Sequence, residues 1–434
     1  MGIEQITLLL FAALFFFLII GTPVAFALGG VAIVFTYFLW GPQGLANVPL
    51  VLYSQMSPSL LAIPLFLLMA NVLQRSGIAD ELYEAIYRWS GGLPGGLAIG
   101  TVAICTIFAA MSGVSGAATI AMGLVAIPSM LKRGYSKQLA IGSVAAGGVL
   151  GIVIPPSVIM IIYATLVRVS VGQLFFSGIL PGVMIAVMHM IYIGIRSGFS
   201  KSYGPPLPAE ERFSWKEKIV SLKMLILPIL LIFSVLGAIY GGVATPTEAA
   251  GVGAFGAIIC AIVNRKFNLK LVNESVRSTL SIVCMIMWIV GSAAIFNSVY
   301  VAVGGRDLIT SFVTGLDVSP YMILIFMSLT LFFLGMIMDD YAVVMLAAPI
   351  YSPLIVALGF NPVWFGCLFI LNMQMAYLTP PFGFVLFYLK GIVPKGVTMG
   401  DIYLAVIPFI IIQALGVALV IIFPQIALYL PSLL

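Results

Sequence analysis

Charge is what this sequence has least of. Its 434 residues hold 19 Lys and Arg and 14 Asp and Glu, 8% of the chain, against roughly a quarter in an average soluble domain. With 62% of positions hydrophobic, no water-soluble fold can bury so much apolar surface. Histidine occurs once, at His189; inside an apolar run it reads as a packed residue more readily than as a proton relay. The four cysteines, Cys105, Cys260, Cys284 and Cys367, lie in apolar segments with no CxxC or Cys/His spacing. That excludes a disulfide framework or metal finger and places each thiol in the core. A phosphate-binding Walker loop and a nucleophile elbow are also missing, so ATP-driven pumping and intramembrane hydrolysis have no visible machinery. The chain does not read as an enzyme, and any work it does has to draw on an ion gradient.

Apolar sequence is abundant, in lengths that suit a bilayer. About 20 apolar residues cross the hydrocarbon core, and such runs occur near 3–20, 23–39, 57–74, 138–167, 174–195, 224–240, 247–263, 279–301, 362–389 and 402–424. Two further stretches, 94–131 and 320–357, are divided by Ser112-Gly113-Val114-Ser115-Gly116 and by Met338-Asp339-Asp340. Each reads as a helical hairpin, although two full crossings would give the same parity. The first run lacks a basic leader and a small-residue cleavage site, so it is expected to be a retained span. The fold expected is an all-α polytopic membrane protein with the lipid bilayer as its solvent. Its net charge of +5 is the excess that cytoplasmic loops carry, with no need for a nucleic-acid partner.

A hydrophilic segment, 196–223, divides the chain almost equally. Shifting the sequence by 225 positions superimposes Pro128 on Pro353, Gly134 on Gly359, Pro155-Pro156 on Pro380-Pro381 and Tyr163 on Tyr388. Slightly smaller shifts bring Thr22-Pro23 onto Thr245-Pro246 and Gly30 onto Gly253. The chain therefore divides into a first repeat at 1–196, a cytoplasmic connector at 197–223 and a second repeat at 224–434. The loop after the first divided stretch carries Lys132, Arg133 and Lys137, while its counterpart at 357–362 carries no positive charge, so the repeats are expected to be inverted. Threading the chain on that basis puts the N-terminus outside and leaves every basic residue inside except Arg168 and Arg306, as the positive-inside rule requires.

Inverted repeats with helices broken near the midplane are a signature of secondary transporters. The run 138–167 would be about 45 Å long if straight, too long for a bilayer. It is interrupted by Gly147, Gly148 and Gly151 and by Pro155, Pro156 and Ser157; its counterpart breaks between Asn372 and Gly383. Proline frees a carbonyl one turn earlier, and inside hydrocarbon that carbonyl needs a partner. A simple kink satisfied by neighbouring side chains is the plainer account of one proline. Two paired breaks point to a cation. The divided stretches add the hydroxyls of Ser112, Ser115 and Thr119 and the carboxylates of Asp339 and Asp340. Intramembrane carboxylates mark sites, and sodium is a hard cation suited to such oxygens. Glu248, in Thr245-Pro246-Thr247-Glu248, reads instead as part of a helix cap.

Seven segments in order resemble the large membrane subunit of the tripartite ATP-independent periplasmic (TRAP) transporters. They are Leu60-Leu61-Ala62-Ile63-Pro64-Leu65-Phe66, the stretch 112–121, Ile154-Pro155-Pro156-Ser157, Ser170-Val171-Gly172-Gln173-Leu174-Phe175, Thr245-Pro246-Thr247-Glu248-Ala249-Ala250, Gly335-Met336-Ile337-Met338-Asp339 and Leu378-Thr379-Pro380-Pro381-Phe382-Gly383. The resemblance implies an ion-transporter-type fold and an elevator-type sodium symporter in the bacterial inner membrane. Its implied partners are a small four-span membrane subunit and a periplasmic substrate-binding protein that delivers an organic anion, of the four-carbon dicarboxylate or sialic-acid class. Two or more sodium ions are expected where each hairpin tip meets its broken helix. That maps onto Ser112, Ser115, Gly116 and Thr119 with Gly147, Gly151 and Pro155, and onto Gly335, Met338, Asp339 and Asp340 with Gln374 and Thr379. The anion is expected between them, at Ser115, Pro156, Ser157, Asn372 and Pro381. The chain departs from the common pattern of the family at Asn71 and at Phe384-Val385-Leu386, which bears on substrate more than on mechanism. A stand-alone organic-anion antiporter or channel is the alternative reading.

Overall fold

The computed structural model describes residues 2–434 apart from Met56 and Gly91. Among the described residues all regular structure is helical, and ten helices are long and apolar enough to cross a membrane. The first half opens with α1 (Ile3–Ile19), α2 (Val24–Gly44), the short α3 (Asn47–Ser54) and α4 (Ala62–Arg75). After the amphipathic α5 (Ile78–Ser90) come a pair, α6 (Gly96–Ser112) and α7 (Ser115–Lys132), then a broken helix, α8 (Lys137–Gly148) and α9 (Val158–Val167), and the long α10 (Val171–Phe199). The second half begins with α11 (Trp215–Ser221), α12 (Lys223–Tyr240), α13 (Pro246–Val263), α14 (Leu269–Ala302) and α15 (Gly305–Thr314). It then repeats the motif: a pair, α16 (Pro320–Ile337) and α17 (Asp340–Ala357), a broken helix, α18 (Pro362–Tyr377) and α19 (Phe384–Ile392), and α20 (Met399–Ile422), closed by the single turn α21 (Gln425–Leu428).

The repeat written in the sequence is kept in the structure. Helices α7 and α17 begin 225 positions apart, at Ser115 and Asp340, and so do the caps of the broken helices, Ser136 and Asn361. Each cap side chain accepts a hydrogen bond from a first-turn N–H, which removes one of the donors a helix start leaves open. Both divided stretches are hairpins whose arms pack on each other, α6 on α7 and α16 on α17. The halves interlock, because α19 packs on α7 and α9 packs on α17. Between them, Tyr163 fits against Gly366, where a Cβ would come within 2.6 Å of its ring, and packs tilted against Phe369 with ring centroids 5.4 Å apart.

Several elements differ from the apolar runs. Helix α14 starts ten residues before the run at 279–301, because Lys270, Glu274 and Arg277 continue the helix outside the hydrocarbon. At 34 residues it is about 51 Å long. The run 138–167 is two helices joined by a 3-10 turn, Val149–Ile152. Helices α5 and α11 are too polar to register as runs. Cys284 is exposed on α14 and not in the core, a position open to an apolar thiol where the surrounding solvent is lipid. The connector is no loose tether: α10 extends to Phe199, and the segment beyond it docks on the first half. The Gly95 N–H donates to Gly204 O at 2.8 Å and the Ser136 N–H to Tyr203 O at 3.0 Å. The Trp89 indole donates to Lys218 O at 2.9 Å, and Arg133 reaches both the Tyr87 hydroxyl at 2.8 Å and Glu211 at 3.8 Å.

Glu248 is the cap residue its motif suggests. Thr245 donates its N–H and its hydroxyl to the Glu248 carboxylate at 2.7 and 2.8 Å and accepts the Glu248 N–H at 3.3 Å. Thr245→Ala is expected to destabilise the protein by about 1 kcal/mol, read as a lower unfolding midpoint in detergent.

Candidate functional site

The first hairpin turns at Gly113, whose φ of +64° lets the chain reverse within two residues. The turn sits directly on the first break. A Cβ at Gly113 would lie 2.3 Å from Pro156 O, and Gly113 O accepts the Val158 N–H at 3.4 Å. Gly151 lies beneath the start of α7, where its Cβ would meet Val114 and Ser115 backbone at 3.1–3.3 Å, and Gly148 leaves room for the Thr119 hydroxyl. Gly147 faces Cys105 of α6 and not the tip. Pro155-Pro156 and Pro380-Pro381 are both cis.

The second hairpin turns between Ile337 and Asp340. The Asp339 carboxylate caps α17 by accepting the Ala342 N–H at 2.9 Å. The Asp340 N–H donates to the Tyr377 hydroxyl at 2.9 Å and its carboxylate accepts the Tyr341 N–H at 3.0 Å. Gly335 lies against Ala376 and Met373, so this tip too meets its own broken helix. Met338 and Asp340 are buried, at 5% exposure each.

Of the sequence-expected site residues, Ser112, Ser115, Gly151 and Pro156 lie at the first tip and its break, and Gly335, Met338, Asp339 and Asp340 at the second tip, whereas Gly147 does not face the tip. The remaining polar atoms differ in how much bonding capacity they have left. Ser112 Oγ and both amide atoms of Gln374 are buried without a hydrogen-bond partner among the described residues. Groups left so in a dry interior ordinarily cost 1–3 kcal/mol, and their oxygens are free for an ion. The Thr119 hydroxyl donates to Ser115 O, and the Thr379 hydroxyl to Met375 O, which leaves each oxygen its lone pairs. Of the residues expected to meet the anion, Ser157 caps α9 and donates to Ile152 O, while Asn372 donates to Leu368 O. Pro156 is buried in the first break; Pro381 is exposed, with its carbonyl accepting from Tyr403. Sequence reasoning missed Tyr377, which braces Asp340, although it stands inside the polar stretch of the second break. His189 is buried and packs edge-on against Phe409 at 5.3 Å.

Among the described residues, ten helices long and apolar enough to cross a membrane, three of them hairpin arms, together with paired hairpins and paired broken helices, give the architecture of a multi-pass membrane transporter. A solved structure agrees with that fold: the YdaH transporter of Alcanivorax borkumensis superimposes with a TM-score of 0.68 over 96% of this chain and 97% of that one, at 14% identity. The model of the family "Tripartite ATP-independent periplasmic transporter, DctM component" matches residues 11–426, and the chain belongs to that family, that of the TRAP transporter large permeases. It is 34% identical to the C4-dicarboxylate TRAP transporter large permease protein DctM of Pseudomonas aeruginosa over 92% of each chain. It is 31% identical to the ectoine TRAP transporter large permease protein TeaC of Halomonas elongata over 98% of this chain and 99% of that one. Such relatives are transport permeases, not enzymes.

Proposed function

We propose that this permease imports a small organic acid across the bacterial inner membrane by sodium-coupled, elevator-type movement, with the N-terminus on the periplasmic side. The observation that carries the reading is the pair of tip-and-break junctions, with a buried oxygen that has no partner among the described residues at the first tip, Ser112, and another on the broken helix that the second tip meets, Gln374. Carbonyls released by the breaks and these oxygens suit a hard monovalent cation. Among the described residues no group of three His, Cys, Asp or Glu side chains could hold a metal by itself, so the expected ligands are mainly carbonyls, hydroxyls and Asp339. Each inward positive charge gains about 2.3 kcal/mol per 100 mV. Two sodium ions therefore bring a monovalent anion in with one net positive charge, whereas a dicarboxylate dianion needs a third ion to draw on the potential and with two is driven by the sodium concentration gradient alone. The inverted repeats, 1–196 and 224–434, would supply the moving hairpins and broken helices, with the docked connector between them on the cytoplasmic side. A small four-span subunit and a periplasmic binding protein complete the assembly in this reading. The names of the dicarboxylate relatives favour a four-carbon dicarboxylate over a sialic acid.

The test is uptake of labelled succinate and sialic acid into proteoliposomes containing the permease, its membrane partner and the binding protein, with and without an inward sodium gradient. Uptake that requires both sodium and the binding protein is the expected result. Saturable uptake by the permease alone, indifferent to both, would establish the antiporter instead, and conductance would establish a channel.

A further inference from the structure

The connector returns to the membrane through α11, which is joined to α12 by the single residue Leu222. The two helices share an exposed apolar stripe. Trp215 is 72% exposed and Ile219 60%, and Leu222 and Ile226 are exposed too, at the spacing of one helix face. At about 100° per residue, Lys218 flanks this stripe on one side and Lys216 and Lys223 flank it on the other. Among the described residues none of the three lysines forms an ion pair, and the Lys218 ammonium lies over the Trp215 ring at 5.1 Å. Residues 212–223 hold four basic side chains and one acid, Glu217. That acid is engaged locally, accepting the Ser214 N–H at 2.8 Å and the Ser214 hydroxyl at 2.7 Å. The other face of α11 is docked: Ser221 is buried, and Trp89 bonds to Lys218 O and meets Trp215 edge-on at 6.2 Å. The helix is therefore held with its stripe and its lysines outward.

We propose that this surface binds anionic phospholipid, with the apolar stripe among the upper acyl chains and Lys216, Lys218 and Lys223 on the headgroups. An apolar face bordered by lysines is the arrangement of a helix at the bilayer interface, where the stems lie along apolar surface and the ammonium groups reach the phosphates. Zwitterionic lipid would cover the stripe equally well. Three unpaired lysines beside one engaged acid are what favour a lipid of net negative charge. The repeat supports a specific role for them. Helix α1 matches α12 in the register that superimposes Thr22-Pro23 on Thr245-Pro246, yet α1 starts with Glu4, and no basic residue precedes Arg75. The lysines are therefore no inherited part of the repeat and belong to one face of the membrane. The choice of leaflet rests on the reading that puts the connector on the cytoplasmic side, whose surface carries anionic lipid. Because Arg133 at the end of α7 pairs with Glu211 at 3.8 Å, lipid bound here is held beside the base of the first hairpin.

The experiment is tryptophan quenching in the full-length permease, reconstituted with its membrane partner into phosphatidylcholine vesicles that contain a minor fraction of brominated phosphatidylglycerol or of brominated phosphatidylcholine. The Trp215 signal is the difference between wild type and Trp215→Phe. Both leaflets carry the quencher, so the assay reads lipid at α11 whichever side the connector faces, and an error in the topology cannot imitate a failure of the lipid assignment. Stronger quenching by phosphatidylglycerol is the expected result, with the preference falling as salt is raised. Each Lys→Gln replacement at 216, 218 or 223 is expected to lower the relative affinity for the anionic lipid about fivefold, and the triple variant to lose the preference. All three side chains lie outside the packed core, so each variant should elute as a monodisperse species with an unchanged unfolding midpoint. Equal quenching of wild type by the two lipids overturns the proposal, as does a triple variant that keeps the full preference. Quenching seen in the permease alone but absent in the complex also overturns it, by showing that the small subunit covers this surface.

Discussion

Replacing Gly113 by alanine is expected to reduce uptake about 100-fold while the protein still inserts and purifies as a monodisperse species. Two effects combine at this position. The φ of +64° is a left-handed conformation that costs an L-residue about 1–2 kcal/mol. The added Cβ would also stand 2.3 Å from Pro156 O. That oxygen is backbone, so no side-chain rotation relieves the clash, and the tip has to lift off the break. Overpacking of this kind costs a further 1–3 kcal/mol or so, and every 1.4 kcal/mol is about tenfold in an equilibrium constant. Gly359→Ala is the matched control: its φ is +82° but a Cβ there meets nothing within 4 Å. It carries the backbone penalty without the clash, far from the tip, and uptake should remain near wild type. Equal losses in both variants would show that backbone strain alone is responsible and that the tip-to-break contact carries no transport function.

Both partners of that contact stand out in the sequence because they are written in unusual residues, and it was the family resemblance that implied they meet. The hairpin turn needs small residues at 112–116, and the break needs Pro155-Pro156, and either is conspicuous in an otherwise apolar chain. The 225-position register was legible for the same reason, since Pro-Pro recurs in phase with Pro128 and Pro353 and with Gly134 and Gly359. What the sequence hid were contacts between ordinary residues far apart in the chain. Tyr388 matches Tyr163 in register, yet one ring rests on Gly116 and the other on Gly366, a difference that follows from glycine at 116 where the second hairpin has Tyr341. The docking of the connector on Tyr87, Trp89 and Arg133 was invisible because short amphipathic helices such as α5 and α11 leave no apolar run to detect. The extent of α14 was underestimated because hydropathy reports where lipid begins, while backbone hydrogen bonding continues past that point.

Asp339 offers the second large effect, because its two roles can be separated. Its side chain caps α17 through the Ala342 N–H at 2.9 Å, and it supplies a carboxylate at the second tip. Asparagine caps a helix about as well as aspartate, whereas alanine loses about 1 kcal/mol. Asp339→Asn should therefore keep the tip folded and remove only the charge. If a sodium ion sits there, loss of a charged ligand in a poorly solvated site corresponds to an interaction of about 1.5–3 kcal/mol, so the sodium concentration for half-maximal uptake should rise at least tenfold. Asp339→Ala should show the same sodium defect with a lower unfolding midpoint added. The neighbouring Asp340 is held differently, its N–H on the Tyr377 hydroxyl, so Tyr377→Phe should disturb the tip without removing a charge, lowering maximal uptake more than it alters sodium affinity. An unchanged sodium requirement in Asp339→Asn would move the second ion away from this tip. In that outcome Gln374, whose amide oxygen is buried and unpartnered, would be the next residue to replace, and a sodium defect in Gln374→Leu alone would place the ion within the break and not at the hairpin.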